Sequence, residues 1–368
     1  MDFVVKKGEL LRELQYVQGA VERKTTVPII SNLLLETTGN TLTVTATDLD
    51  VTLRCTCRAN IKVSGSLSVS ARKLFDIARL LPQADIHFKS DGNNWIHVTC
   101  ERAKFKIASL SKDNFPDIPS VEKENTVLPA QIVRHMISSS VFAITQEESR
   151  YTLNGALMII NPGGITFVAT DGHRLVFVSR NTEIAGLEGE KRILIPKKTL
   201  TELSKLASED VEAIEFGNSD NHLFFKIDER LLISRVLTGN FPNYEMVIPR
   251  ENDKEVGLNT SGFADALKRV AVMADEQTHA VRFLLKEGQL DILSTGTEIG
   301  EAKESVPAKY KGEPMEIGFN AQYVLDFLAG LNSEEVVLAL RDEETQGLLK
   351  PMPDGDYLHQ YVIMPMKL

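Results

Sequence analysis

Asp171-Gly-His-Arg174 is the constellation in this 368-residue chain whose residue types most invite chemistry. Asp171 beside His173 would make an acid/base couple. A hydrolase built on that couple also needs a nucleophile or a metal, and the sequence offers neither in a recognisable pattern. It contains no Gly-x-x-x-x-Gly-Lys-Ser/Thr loop, no Gly-x-Gly-x-x-Gly, no His-Glu-x-x-His and no Gly-x-Ser-x-Gly. Asp48-Leu-Asp50 begins like a calcium loop, but the further ligand, the Gly and the closing Glu do not follow. Its place in the chain is more informative. Thr45-Ala-Thr-Asp-Leu-Asp50 returns as Val168-Ala-Thr-Asp-Gly-His173, so the aspartate reads as part of a repeated strand-end turn that contacts a ligand, not as a catalyst. His87, His97, His222 and His279 stand apart without ligand spacing and are expected on strand faces or surfaces. Cys55 and Cys57 share one face of a strand and read as core. With Cys100 the cysteine count is odd and fits no zinc spacing, which points to a reducing compartment. No metal or cofactor is expected.

The elements that position these residues come in three copies. Asp113-Asn-Phe-Pro-Asp-Ile-Pro119 recurs as Gly239-Asn-Phe-Pro-Asn-Tyr-Glu245, and Leu293-Ser-Thr-Gly-Thr-Glu298 is a fainter third copy of the Asp turn. Ser70-Ala-Arg-Lys-Leu74 answers to Pro196-Lys-Lys-Thr-Leu200 and to Phe319-Asn-Ala-Gln-Tyr323. Each unit is expected to open with an amphipathic helix, at Gly8–Ala20, Ala130–Thr145 and Ser261–Ala274. In the first, Leu10, Leu11, Leu14, Val17 and Val21 keep helical spacing. Alternating strands follow, then a second helix at Arg72–Leu81, Lys197–Ala207 and Ala321–Leu331, then more strands such as Trp95–Thr99 and Lys104–Ala108. Strands with two helices per unit, without strict βαβ alternation, define an α+β fold of three similar domains, 1–122, 123–251 and 252–368. Charged stretches at Val121–Asn125 and Arg250–Glu255 mark the boundaries.

No apolar run reaches the roughly 20 residues that cross a bilayer, and the start lacks a secretory leader; the expected location is cytoplasmic. The net charge of −10 argues against a DNA binder that works through its overall field. That charge is unevenly spread. Lys and Arg exceed Asp and Glu by two in residues 1–125, fall short by two in 126–250, and fall short by ten in 251–368. The six helical stretches carry eleven basic and six acidic side chains. If they share one side of three repeated domains, that side faces a polyanion while the rest repels it. Two other readings stand beside this one. A partner-binding scaffold without a DNA role predicts no basic excess on the helices, and a hydrolase lacks its nucleophile.

The chain resembles the bacterial DNA polymerase III beta subunits, the replication sliding clamps. The resemblance runs over essentially all 368 residues and is carried by Val27-Pro-Ile-Ile-Ser-Asn-Leu-Leu-Leu35, Thr47-Asp-Leu, Ala71-Arg-Lys73, Asn114-Phe-Pro-Asp117, Leu153-Asn-Gly155, Ala169-Thr-Asp-Gly-His-Arg-Leu175, Gly239-Asn-Phe-Pro, Glu316-Ile-Gly-Phe-Asn320 and Tyr361-Val-Ile-Met-Pro-Met-Lys-Leu368. It implies a non-enzymatic processivity factor: a head-to-tail homodimeric ring of six domains around duplex DNA. Implied partners are a clamp loader, the replicative polymerase alpha subunit, translesion polymerases, mismatch-repair proteins and ligase, docking through short linear motifs. Elementary geometry agrees. Twelve helices about 10 Å apart make a circle roughly 38 Å across, and removing one helix diameter of about 10 Å leaves a hole near 28 Å. A B-form duplex of roughly 20 Å passes through it. Such a linkage is topological, so a net-acidic chain can hold DNA.

The resemblance also implies residue roles. DNA-facing positions are Lys24, Arg72, Glu147, Tyr151 and Thr152; the family often has Gln in place of Glu147 and an aromatic in place of Thr152. The partner-peptide pocket corresponds to Leu153, Thr170, Gly172, His173, Arg174, Leu175, Pro242, Val247, Tyr323, Val362, Met364, Pro365, Met366 and Lys367, with Lys367 replacing the usual Arg. The apolar members are expected to form an exposed groove, rimmed by hydrogen bonds from Thr170, Gly172, His173 and Arg174. At the subunit contact, Phe105 and Ile107 pack near Val272 and Met273, while Lys73, Arg102 and Lys104 face Glu298, Glu301 and Glu304. The family often carries a further acid where Gly300 stands.

Overall fold

Alternation of apolar and polar residues lays down much of this chain as antiparallel strands. The computed structural model describes residues 1–22, 27–120, 126–145, 147, 149–296 and 300–367. The first third holds β1 (Asp2–Lys6), α1 (Lys7–Val17), β2 (Asn32–Thr38), β3 (Thr41–Thr47), β4 (Val51–Arg58), β5 (Asn60–Val63), β6 (Gly65–Ser70), α2 (Ala71–Leu80), β7 (Asp85–Ser90), β8 (Trp95–Cys100) and β9 (Ala103–Leu110). The second holds β10 (Thr126–Pro129), α3 (Ala130–Ser140), β11 (Gly155–Asn161), β12 (Gly164–Thr170), β13 (Arg174–Asn181), β14 (Lys191–Pro196), α4 (Lys197–Leu206), β15 (Ala213–Asn218), β16 (His222–Ile227) and β17 (Arg230–Arg235). The last holds β18 (Lys254–Asn259), α5 (Thr260–Ala271), β19 (Ala280–Lys286), β20 (Gln289–Gly296), β21 (Gly300–Lys309), β22 (Met315–Asn320), α6 (Ala321–Ala329), β23 (Glu335–Leu340), β24 (Gly347–Met352) and β25 (Leu358–Ile363). Apart from the extra β5, one order of strands and two helices is repeated three times, as the α+β reading requires.

Two expectations need correction. Each third opens with a strand, not with its helix: β1, β10 and β18 lead directly into α1, α3 and α5. These strands are short, four to six residues, and lead straight into the helix, so periodicity alone merges the two. The expected boundary Arg250–Glu255 also overlaps β18, because Lys254 and Glu255 already pair with β23. The other expected boundary, 121–125, lies outside the described residues, as do Thr297 and Glu298 of the third copy of the Asp turn.

The strands form two large sheets, one in each compact unit. Residues Met1–Arg134 with Lys198–Val236 make one unit, whose sheet runs β10-β15-β16-β17-β4-β3-β2-β6-β9-β8-β7-β1-β5. His135–Lys197 with Leu237–Leu368 make the other, with the order β14-β11-β12-β13-β25-β24-β23-β18-β21-β20-β19-β22. Strands of successive repeats therefore join edge to edge, and they do so twice in one register. Leu232 of β17 sits opposite Leu53 of β4, and Tyr361 of β25 sits opposite Val176 of β13.

Each helix contributes one apolar stripe to the core. In α1 this is Leu10, Leu14 and Val17, and in α5 Phe263, Leu267 and Val270, all buried. Two of the second helices, α2 and α6, start where a side chain caps them. Ser70 accepts the Lys73 N–H, and Asn320 accepts that of Tyr323. Cys55, Cys57 and Cys100 are free and buried, and burial pushes the Cys57 thiol up to about 12. They are core side chains, as expected.

Candidate docking groove and DNA-facing segment

Thr170 and Asp171 end β12 and turn the chain into β13. Asp171 Oδ1 accepts the N–H groups of His173 (2.9 Å) and Arg174 (3.1 Å). Thr170 Oγ1 accepts the Gly172 N–H (3.0 Å) and donates to the Arg174 carbonyl (2.6 Å). Gly172 takes φ +91°, a conformation that glycine adopts without strain. The first third builds the same turn. Asp48 Oδ1 accepts from Asp50 (3.0 Å) and Val51 (2.7 Å), Thr47 Oγ1 accepts from Leu49 (3.1 Å), and Leu49 stands at φ +83°. The neighbouring strand closes both turns alike, with the Met364 N–H on the His173 carbonyl and the Arg235 N–H on the Asp50 carbonyl, each at 2.9 Å. Asp171 is a turn builder, as its repetition predicts.

Arg174 corrects the expectation of a hydrogen-bonding rim. Its side chain is only 9% exposed. Nε donates to Asp171 Oδ2 (2.9 Å), Nη1 to Asp326 Oδ2 (2.6 Å) and Nη2 to the Phe142 carbonyl (2.7 Å). Its plane lies over the Tyr323 ring at 4.2 Å. Burial disfavours the charge, but Tyr361, Asp326 and Asp171 outweigh that and hold the guanidinium firmly protonated. Arg174 braces β13 against α6. The Thr170 hydroxyl is likewise engaged inside the turn, so neither side chain is free to rim a groove. Tyr323 lies beneath Arg174, and its carbonyl accepts the Tyr361 hydroxyl at 2.9 Å.

The apolar residues fall into a floor and walls. Leu175 and Val362 pair directly across β13 and β25 and are 3% and 1% exposed. They were expected in an exposed groove; instead they are buried core residues near the ends of their strands, packed with Val168, Leu157, Tyr244 and Leu348. Val247, Phe241, Ile248 and Phe177 lie half-buried over that layer. Pro242 and Lys367 are exposed, Leu153, Pro365 and Met366 are half-buried, and Met364 is 38% exposed. The Met366 N–H donates to the Gly318 carbonyl (2.9 Å), which ties the tail to β22. Phe241 and Ile248 were not assigned from sequence, although Phe241 stands inside the repeated Asn-Phe-Pro motif.

Of the positions expected to face DNA, Lys24 lies outside the described residues. The Arg72 side chain on α2 is 90% exposed, with Asp76 at 3.9 Å. Glu147, Tyr151 and Thr152 share one short segment with Leu153, and Tyr151 is half-exposed. Arg150, which the sequence reading passed over, is at the centre of that segment: Nε lies 3.1 Å from the Glu147 carboxylate, and Nη1 donates to the Asp171 carbonyl at 2.6 Å. The eleven basic and six acidic side chains counted from sequence all fall on α1 to α6. Glu13 and Glu202 are buried and Asp326 holds Arg174, which leaves the exposed helix faces more basic still.

Among the described residues, two strands inside the sheets are left open along part of their length, besides the terminal strands β10, β5, β14 and β22. Residues 103–108 of β9 pair with β8 on one side only, because β6 reaches no further than Ser109 and Leu110. Residues 300–307 of β21 pair with β20 only, because β18 meets it at Ala308 and Lys309. At the first edge Arg102, Lys104 and Phe105 are exposed, as is Lys73 of α2. Near the second are Val272, 79% exposed, Glu301, exposed, and Met273, half-buried. Ile107 is only 9% exposed, because it turns into the core of its own unit; this corrects its expected place in a subunit contact. Glu304, expected to face the basic residues of the other copy, pairs within the chain with Arg269 at 2.9 and 2.6 Å. Glu298 lies outside the described residues.

Repeated two-helix domains, joined strand to strand and with more basic than acidic side chains on their helices, define the DNA-clamp class. Family models for the DNA polymerase III beta subunit match the chain throughout: the N-terminal domain over residues 1–119, the central domain over 127–243 and the C-terminal domain over 245–367. The chain therefore belongs to the DNA polymerase III beta subunit family. It is 34% identical to the beta sliding clamp of Pseudomonas putida over 371 residues, covering 100% of both chains. It is 32% identical to that of Chlamydia pneumoniae, covering 100% of this chain and 99% of the relative. The solved sliding clamp of Pseudomonas aeruginosa bound to griselimycin superposes with TM-score 0.94 at 33% identity, covering both chains fully. That of Bartonella birtlesii bound to griselimycin gives 0.94 at 32%, again covering both chains fully. The chain is a DNA sliding clamp, a processivity factor that tethers polymerases.

Proposed function

We propose that two copies close head to tail into a six-domain ring around duplex DNA, each copy built as domains 1–122, 123–251 and 252–368. The pair of open edges is the observation that carries this reading. Twice along the chain, the third strand of one repeat's hairpin set pairs with the last strand of the next repeat: β4 with β17, and β13 with β25. The strands left over in this series are β21 and β9. Ladder positions identify Phe105 with Leu232 and Tyr361, through their partners Val98, Phe225 and Leu349. Ala302 likewise corresponds to Leu53 and Val176. The same register between copies sets Phe105 opposite Ala302 of the partner subunit and Lys106 opposite Glu301 of the partner subunit. The mildly basic first third then meets the acidic last third, and a two-fold pair of such contacts closes the ring.

Within that ring Arg72, Glu147, Tyr151, Thr152 and Lys24 face DNA. Partner peptides of the Gln-Leu-x-Leu-Phe type lie over the Leu175/Val362 floor, between Leu153, Pro242 and Val247 and the Met364–Lys367 tail. Repetition explains why this groove belongs to one junction. At the first junction the floor positions are Thr52 and Ile233 and the tail position is Arg235, so the same turn frames a polar surface. The partners are a clamp loader, the replicative polymerase alpha subunit, translesion polymerases, mismatch-repair proteins and ligase. The protein works in the cytoplasm and performs no catalysis of its own; Asp171 is committed to its turn. Calorimetry with such a peptide tests the groove: about micromolar affinity in the full chain, near −8 kcal/mol, and none after deletion of residues 364–368. Equal affinities would place the groove elsewhere.

A further inference from the structure

Arg150 joins two places that the ring reading assigns to different ligands. It sits in the segment that carries Glu147, Tyr151 and Thr152, and its Nη1 bonds the carbonyl of Asp171 in the docking turn. The same Nη1 lies 2.7 Å from where a Cβ on Gly172 would stand, so the guanidinium covers the glycine side of the turn. The turn does not need this contact to keep its shape. Asp171 Oδ1, Thr170 Oγ1, Arg174 Nε and the Met364 N–H already fix it by other hydrogen bonds. The bonds of Arg150 are also easily exchanged, since its side chain is 41% exposed and that of Glu147 is 61% exposed. An exposed ion pair of this kind contributes little, and a phosphate is a stronger bidentate acceptor for a guanidinium.

We propose that Arg150 is a latch over the docking turn, lifted when DNA occupies the adjacent segment. This inference rests on the ring reading above. A backbone phosphate beside Tyr151 draws the guanidinium away from Asp171, uncovers Gly172 and leaves the turn intact. Clamps on DNA then bind partner peptides more tightly than free clamps. Because coupling between two bound ligands is reciprocal, the peptide tightens DNA binding by the same factor.

The test is fluorescence anisotropy of a labelled Gln-Leu-x-Leu-Phe peptide on the full-length protein, with and without a saturating 30-base-pair duplex at low salt. Wild type should bind the peptide about threefold to fivefold more tightly with DNA, the scale of one exposed charge contact. Arg150→Ala should bind it equally with and without DNA, at the tighter value, and Arg150→Lys should keep a partial dependence. Circular dichroism and thermal melting establish that each variant is folded. Weaker peptide binding by folded Arg150→Ala would show that Arg150 holds the peptide, and would overturn the latch. DNA-independent affinity in wild type would overturn it too, while leaving the ring and groove in place. Failure of wild type to bind the peptide in either state would remove the groove itself, and the latch with it.

Discussion

Glu13 of α1 and Arg230 of β17, 217 positions apart, form a bidentate ion pair at 2.7 and 2.8 Å with the carboxylate 1% exposed. Arg230 also lies over the Tyr16 ring at 4.2 Å. The pair sits where the first and second repeats join through β4 and β17, and it fastens that joint by a side-chain contact in addition to the ladder. Replacing Glu13 by Ala strands a largely buried guanidinium, and the expected loss is about 3–5 kcal/mol. Urea denaturation checks this. A loss below about 1 kcal/mol would mean that the ladder alone holds the joint.

Arg174 does the corresponding work at the second joint, through Asp326, Asp171 and the Phe142 carbonyl. Arg174→Ala should destabilise the protein by about 3–5 kcal/mol for the same reason. It should also weaken peptide binding, because the docking turn loses its brace. Arg174→Lys should rescue little, since one ammonium cannot reproduce a planar fork with three acceptors. Thermal melting and peptide anisotropy together read both effects; unchanged peptide affinity at reduced stability would confine Arg174 to the fold.

Acid should loosen the second unit through His359. Burial, and then the nearby His135, push its pKa down to about 4, and its Nε2 has no partner among the described residues. Unfolded, the imidazole titrates near 6.5. The folded-state pKa is depressed, so the stability tied to neutral His359 is complete above about pH 6.5. It is lost as pH falls toward about 4, in total on the order of 3 kcal/mol. His359→Phe should flatten this part of the curve. Denaturation midpoints between pH 7 and 4 that fall equally in both proteins would remove His359 as the cause.

The seam between copies should respond to apolar as well as to charged residues. Phe105 and Val272 are exposed on one chain, and in the proposed register they bury each other across the seam. Phe105→Asp should shift the protein to monomer while leaving its melting temperature within a few degrees, because the side chain lies outside the core. Glu301→Lys should weaken the dimer less. Sedimentation equilibrium distinguishes these results; an unchanged dimer mass for Phe105→Asp at micromolar concentration would place the contact on another surface.

Much of this architecture is legible before the fold is known, because repetition is visible in short motifs. The Asp48/Asp171 pair announces one turn made twice, and the structure builds it from the same hydrogen bonds. Helix stripes such as Leu10, Leu14 and Val17 are equally plain. The opening strands are not, since Asp2–Lys6 and Lys254–Asn259 are short and lead directly into helices. Nor is β24, whose Gly347–Met352 lies between an acidic stretch and a Pro/Gly-rich one. The site is legible by residue and less so by role. Leu175 and Val362, expected in an exposed groove, are buried beneath it, because their strands pair. Arg174 looks like a free donor until Asp326, 152 positions away, takes it. Arg150 gives no signal in sequence, since its meaning is a contact with a turn 21 residues on.

Retention on DNA of different topology decides whether the protein encircles the duplex. Protein loaded onto nicked circular DNA should remain bound through gel filtration at salt that abolishes its equilibrium binding to short duplexes, because a ring needs few phosphate contacts to stay threaded. Cutting the circle once should release it within the time of the column. Retention on the cut, linear product equal to that on the circle, or equal loss from both at the same salt, would contradict encirclement.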